Sequence, residues 1–83
     1  MSALGELVEA LRQVEERLDQ VRGQLVQSRK SLAEAQSALA GLDPEHPETV
    51  VPPGLRRADD QIERTQGLVD HAVDTLRGFV TQL

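Results

Sequence analysis

Hydrophobic residues in the first half of the chain recur at alternating intervals of three and four positions. When Leu4 is placed at position a of a repeat abcdefg, each a position as far as Leu39 is a leucine. The d positions of the same repeat are Leu7, Val14, Val21, Ser28, Ala35 and Leu42. A period of about 3.5 residues, held through successive heptads, predicts a long helix that packs against another helix.

The first helix is predicted to run over residues 3–41. Ser2 precedes it as a capping residue, and Glu6 falls in the first turn, where the partial positive charge of the helix end favours a carboxylate. Gly41 is a favourable terminating residue, and Pro44 prevents continuation. At about 1.5 Å per residue, this helix is a rod of roughly 57 Å, longer than a small globular domain requires.

A second helix with the same period is predicted over residues 54–82. Its a positions are Leu55, Ile62, Val69, Leu76 and Leu83, and its d positions are Ala58, Thr65, Ala72 and Phe79. The segment 42–53 contains every proline of the chain and is predicted to be a connecting loop. Two helices whose apolar a and d columns have the same period predict an all-α fold, an antiparallel helical hairpin in which these columns face each other. This hairpin occupies residues 1–83 as a single domain.

Composition supports this fold and excludes several others. Phe79 is the only aromatic residue, and the chain has no cysteine. The scarcity of aromatic side chains argues against a small barrel or sandwich, and the absence of cysteine excludes a disulfide scaffold and a thiolate metal site. The net charge of −5 gives no basic surface for nucleic acid, so no nucleic-acid partner is expected.

The hairpin is expected to be incomplete at the end away from the loop. Because the second helix is shorter, residues 3–11 of the first helix are predicted to extend beyond it as a leucine- and valine-rich overhang. A two-helix hairpin also buries little apolar surface, which favours a four-helix bundle, most simply a homodimer, with a heteromeric helical partner as the alternative. The predicted interface comprises Leu4, Leu7, Val8, Leu11, Val14, Leu18, Val69, Val73, Leu76, Phe79, Val80 and Leu83.

No catalytic or cofactor site is evident in the sequence. His71 lies at a c position on the outer face of the second helix and is expected to be a solvated surface histidine. His46 lies among Asp43, Glu45 and Glu48, a set that would bind a divalent cation weakly but has the spacing of no known metal loop. We expect no enzyme activity, no cofactor, no metal and no small-molecule substrate.

The chain is expected to be cytoplasmic. Its start carries Glu6 and Glu9 and lacks the basic residues that open a cleavable secretory signal. No apolar stretch is long enough to insert into a membrane, and the helices lack the Lys and Arg bias of interfacial membrane helices. Export by a route that reads folded helical proteins and needs no cleavable signal is the alternative.

In its architecture the chain resembles the WXG family of small helical-hairpin proteins. The likeness rests on a short acidic chain, two long amphipathic helices and a break rich in proline near the middle. Where the family has Trp-x-Gly at the turn, this chain has Val51-Pro52-Pro53-Gly54, and it has no tyrosine for the family's Tyr-containing export signal. The resemblance implies a hairpin that forms homo- or heterodimers and is exported by type VII secretion in actinobacteria.

The function predicted from the sequence is that of a non-enzymatic protein–protein interaction module that self-associates through its helices. Two alternatives stay open at this point. One is a WXG-like secreted or secretion-associated protein, as the resemblance implies. The other is a regulatory partner of the antitoxin or anti-activator type, which masks a larger protein with one of its helices.

Overall fold

The computed structural model describes residues 2–83, which form two long helices joined by a loop. Helix α1 spans Ala3–Ala40 and helix α2 spans Pro53–Gln82, with a 3₁₀ turn at Pro47–Thr49 between them. The two helices pack against each other as an antiparallel hairpin that measures 64 × 15 × 15 Å. The described residues contain no strand, so the predicted all-α hairpin is confirmed, and each helix end lies within one residue of its predicted position.

Helix α1 begins where the sequence supplies a cap. The Oγ of Ser2 accepts a hydrogen bond from the amide of Gly5 at 3.1 Å. This bond satisfies one of the amides that the first helical turn leaves without a backbone partner. Glu6 lies in the same turn, so its carboxylate interacts favourably with the helix dipole.

Helix α1 ends without the left-handed glycine that terminates many helices. Gly41 adopts a right-handed helical conformation, with φ of −66° and ψ of −17°, and its amide still donates to the carbonyl of Ser37 at 3.1 Å. The amide of Leu42 then donates to the carbonyl of Leu39, which tightens the last turn. The helix stops because Pro44 has no amide proton, and the conformational freedom of glycine is not used here.

The loop is shaped by short local contacts. The Oδ1 of Asp43 accepts a hydrogen bond from the amide of His46 at 3.2 Å. Pro47 opens the 3₁₀ turn, because its fixed φ suits the first position of a helix. Pro52 is extended, with φ of −61° and ψ of 136°, and leads directly into α2. Together these residues reverse the chain so that α2 runs back along α1.

The seam between the helices runs through the a and e positions of both. On α1 and α2 the a residues are half-buried wherever the other helix lies alongside, and the d residues of α1 are exposed along its whole length. The half-buried or buried e residues are Val8, Glu15, Arg22, Arg29 and Gln36 on α1 and Asp59, Gln66, Val73 and Val80 on α2. The expectation that the a and d columns both face the other helix is therefore wrong for the d column of α1, whereas Ala58 and Ala72 in the d column of α2 are half-buried.

The hairpin has almost no hydrophobic core of its own. Among residues 2–83, Val73 is the one side chain that is fully buried. The accessible surface is 6271 Å², whereas a compact monomer of this mass exposes about 4,900 Å². The radius of gyration of 19.0 Å likewise exceeds the value of about 12 Å for a compact domain of this length.

Candidate functional site: an apolar face opposite an ionic edge

Arg29 is the centre of the polar contacts between the two helices. Its Nε donates to Oδ1 of Asp59 at 2.9 Å, and a terminal nitrogen reaches Oδ2 of the same carboxylate at 3.2 Å. The other terminal nitrogen donates to Oε1 of Gln66 at 2.9 Å. The hydrogen bond from Arg29 lowers the pKa of Asp59 below its ordinary value and raises the pKa of Arg29. This two-pronged contact ties the middle of α1 to the first half of α2.

Three further ion pairs continue this contact toward the open end of the hairpin. The Nε of Arg22 lies 2.8 Å from Oδ1 of Asp70. Arg77 donates from its Nε to Glu15, and a terminal nitrogen lies 3.6 Å from Asp19. The hydrogen bond to Glu15 raises the pKa of Arg77. We call the side of the hairpin that carries the Arg22, Arg29 and Arg77 pairs the ionic edge.

The ion pairs set the register of the two helices and correct the predicted overhang. Because Glu15 lies opposite Arg77, α2 extends past Leu11, which is half-buried. The part of α1 without a neighbouring helix is therefore residues 3–7, shorter than the predicted 3–11.

The side of the hairpin opposite the ionic edge is apolar. Around a helix, the d column flanks the a column on one side and the e column flanks it on the other. Since Arg29 and Asp59, both at e, are in contact, the two d columns must both lie on the opposite side. We call this side the apolar face; its exposed large side chains are Leu4, Leu7, Val14 and Val21 of α1 and Leu68, Phe79 and Leu83 of α2.

The predicted interface residues divide between the apolar face and the intramolecular seam. The residues on the apolar face are Leu4, Leu7, Val14, Phe79 and Leu83. The residues in the seam, half-buried or buried by the other helix, are Val8, Leu11, Leu18, Val69, Val73, Leu76 and Val80. Sequence reasoning omitted Val21 and Leu68 from the interface, although Leu68 is 70% exposed and Val21 continues the d column.

The ionic edge was also missed, although the sequence carries a signal for it. Glu15, Arg22 and Arg29 recur at successive e positions of α1. In an antiparallel pair of helices the e columns lie side by side, so charged residues at e in one helix require complementary groups at e or b in the other. Asp59 at e and Asp70 at b supply those groups on α2.

The histidines and the acidic residues of the loop lie apart from the ionic edge in the part of the chain that the structure describes. Among residues 2–83, no group of three or more acidic or histidine side chains is arranged to hold a metal ion. In the loop, Nδ1 of His46 lies 3.7 Å from Oε1 of Glu48, while Asp43 bonds to the backbone. His71 is exposed on α2, as expected. Neither α1 nor α2 contains an apolar stretch long enough to cross a membrane.

Comparison of the chain with protein-family models, with curated proteins and with solved structures finds no match. The resemblance to the WXG family therefore stays a prediction that rests on the helical-hairpin architecture alone.

Proposed function

We propose that this protein is a non-enzymatic protein–protein interaction module, and that two copies associate through their apolar faces into a four-helix bundle. The observation that carries the proposal is the position of the apolar face. Leu7, Val14 and Val21 of α1 and Phe79 of α2 lie exposed on one side of the hairpin, opposite the ionic edge.

The direction of the heptad pattern supports a bundle of four helices. The other helix of the hairpin lies against columns a and e, whereas the apolar residues occupy columns a and d. Around the helix axis, the midline of the apolar columns is therefore turned by about 50° from the direction of the neighbouring helix. In a square bundle of four helices, the centre lies about 45° from the direction of each adjacent helix. The a and d columns therefore point toward the centre of a four-helix bundle, with e lining the intramolecular seam.

The exposed area supports a partner of substantial size. The chain exposes 6271 Å², about 1,400 Å² more than a compact monomer of its mass. A standard protein–protein interface covers about 800 Å² on each partner. Association through one face therefore removes much of the excess that the elongated hairpin leaves in water.

The distribution of charge supports a second copy as the partner. The chain carries a net charge of −5, yet no Asp or Glu occupies an a, d or g position in either helix. Arg17 is the one charged residue at these positions. Two copies of an acidic chain can therefore meet on their apolar faces without bringing carboxylates together, whereas every other side of the helices carries carboxylates.

The apolar side chains are numerous enough to drive the association. The seven large side chains of the apolar face are between 37% and 70% exposed, and burying a Val, Leu or Phe side chain completely contributes about 1.5–3 kcal/mol. Covering the exposed parts contributes about 5–10 kcal/mol per chain. The two chains together therefore gain about 10–20 kcal/mol from apolar burial. This gain is as large as the estimated cost of association, which is about 4–15 kcal/mol.

Sedimentation equilibrium over a range of micromolar concentrations tests this proposal, with thermal unfolding followed by circular dichroism at each concentration. We expect a species of twice the 9.1 kDa chain mass and a melting temperature that rises with protein concentration. A monomer that keeps its helices, and whose melting temperature does not depend on concentration, would refute self-association. That result would instead favour a heteromeric partner on the same face.

A further inference from the structure

We propose that the two hairpins of the dimer lie parallel, with both loops at the same end and α1 of each copy packed against α2 of the other. This inference rests on the proposed self-association through the apolar face. It adds the direction and register in which the second copy binds.

A face-to-face dimer with two-fold symmetry has two arrangements. If the two-fold axis runs along the hairpin, the copies are parallel, and α1 lies against α2 of the second copy at the same height. If the axis runs across the hairpin, the copies are antiparallel, and α1 lies against α1 of the second copy. In both arrangements every neighbouring pair of helices is antiparallel, so the choice between them depends on which side chains face each other.

The d residues match layer by layer in the parallel arrangement. The ion pairs of the ionic edge place Arg22 level with Asp70, and a rotation about the long axis keeps these heights. Four d residues of α1 then face d residues of the second copy, and every pair is either apolar on both sides or hydroxyl on both sides. From the open end to the loop, the facing pairs are Val14 with Phe79, Val21 with Ala72, Ser28 with Thr65, and Ala35 with Ala58. The two hydroxyl side chains meet each other, and the two alanines meet each other.

The antiparallel arrangement loses this match. With α1 fully overlapped on α1 of the second copy, Val14 faces Ser28, and Leu7 faces Ala35. Large apolar side chains then lie opposite small or polar ones along most of the interface. Mismatched layers of this kind leave voids or bury a hydroxyl against hydrocarbon, both of which weaken association.

The charges that border the apolar face favour the same direction. At the c positions beyond this face, α1 carries acidic Glu6 and Glu34, whereas α2 carries basic Arg57 and Arg64. The parallel arrangement places Glu34 beside Arg57 of the second copy. The antiparallel arrangement places Glu34 beside Glu6 of the second copy, where like charges repel.

The overhang gives a third reason. Leu4 and Leu7 extend beyond the end of α2 and are exposed. In the parallel arrangement both overhangs lie at the same end, where they cover each other and the exposed Leu83. In the antiparallel arrangement each overhang reaches the loop end of the other copy, where α1 presents the small side chains Ala35 and Ala38.

Disulfide cross-linking tests the direction, since the native chain has no cysteine. Ser28→Cys and Thr65→Cys are made as separate variants, mixed in denaturant, refolded together and oxidised gently. Mass spectrometry distinguishes the mixed disulfide from the two self-linked products. Because facing d positions of adjacent helices lie within disulfide reach, we expect the mixed product in about tenfold excess over either self-linked product.

Val14→Cys and Val21→Cys, each oxidised alone, provide the opposing test. In the parallel dimer these residues lie on diagonal helices, so we expect little cross-linking. Efficient self-linking of Val21→Cys, or of Val14→Cys in a dimer with shorter overlap, would overturn the parallel arrangement while leaving the dimer intact. Sedimentation of the native chain and of each reduced variant separates these outcomes, because a native chain that stays monomeric would refute the proposed self-association itself.

Discussion

A single charge on the apolar face should separate the proposed dimer into monomers, and the chain contains a matched control. Val14 and Val26 are both valines on α1, with 46% and 55% of their surface exposed. Val14 lies at d on the apolar face, and Val26 lies at b, beside the ionic edge. In a monomeric hairpin, aspartate at either site would be equally solvated. We therefore expect Val14→Asp to abolish association and Val26→Asp to leave it unchanged.

The size of the effect follows from the exposure of Val14. Covering the exposed half of a valine contributes about 0.8 kcal/mol per copy, so the dimer loses about 1.5 kcal/mol of apolar burial. Each buried carboxylate without a partner adds a cost of several kcal/mol. Together, the lost burial and the buried carboxylates make the free energy of dimerisation less favourable by at least about 5 kcal/mol, which raises the dissociation constant roughly 10³–10⁴-fold. Val14→Ala, which lacks the charge, should weaken it by about tenfold.

Sedimentation equilibrium measures the dissociation constant of each variant, and circular dichroism reports whether the helices persist. Because the hairpin has almost no core, we expect the Val14→Asp chain to lose helix content at concentrations where the Val26→Asp chain keeps it. Equal weakening by the two aspartates would show that the substitution acts through helix propensity or net charge. If neither variant weakens association, the dimer forms through another surface.

Three further predictions concern the contacts within each hairpin. The lowered pKa of Asp59 implies a contribution to stability that is complete above its unfolded pKa of about 3.9 and is lost as pH falls through the lower folded value. Asp59→Asn should reduce this loss of stability in acid, which circular dichroism measures as helix content below pH about 4. An unchanged pH profile would contradict the role of the hydrogen bond from Arg29. Ser2→Ala should cost about 1 kcal/mol in urea unfolding, whereas Ser2→Asp should cost little, because aspartate also caps. Arg22→Glu should lower the urea midpoint, and adding Asp70→Arg should recover most of the loss; a double variant no more stable than the single one would contradict the pairing.

The helices were predictable because their signals are local. The heptad repeat, the serine cap before Ala3 and the prolines of the loop each act within a few residues, and together they fix where each helix begins and ends. The cause of termination at Gly41 was predicted less well. Its right-handed conformation follows from the tightened last turn and the proline beyond, neither of which glycine itself dictates.

The seam was predicted less well because it depends on side chains far apart in sequence. Arg29 and Asp59 are thirty residues apart, and their contact decides that e, and not d, lies between the helices. A hydrophobic pattern identifies the positions that are apolar, but it does not show which neighbouring helix covers each of them. The length difference between the helices was clear in the sequence, whereas the length of the overhang required the register that the ion pairs set.

The mismatch between the hydrophobic pattern and the observed seam is itself the strongest clue to how this chain works. A two-helix hairpin needs one apolar stripe per helix, and charged residues at e are tolerated in its seam because they pair across it. The additional d column has no use inside the hairpin, and leaving Leu7, Val14 and Phe79 in water makes the isolated chain less stable and less soluble. The e column with its ion pairs lies against the helix of the same chain. In the self-association that we propose, the exposed d residues are the ones that meet a helix of the second copy.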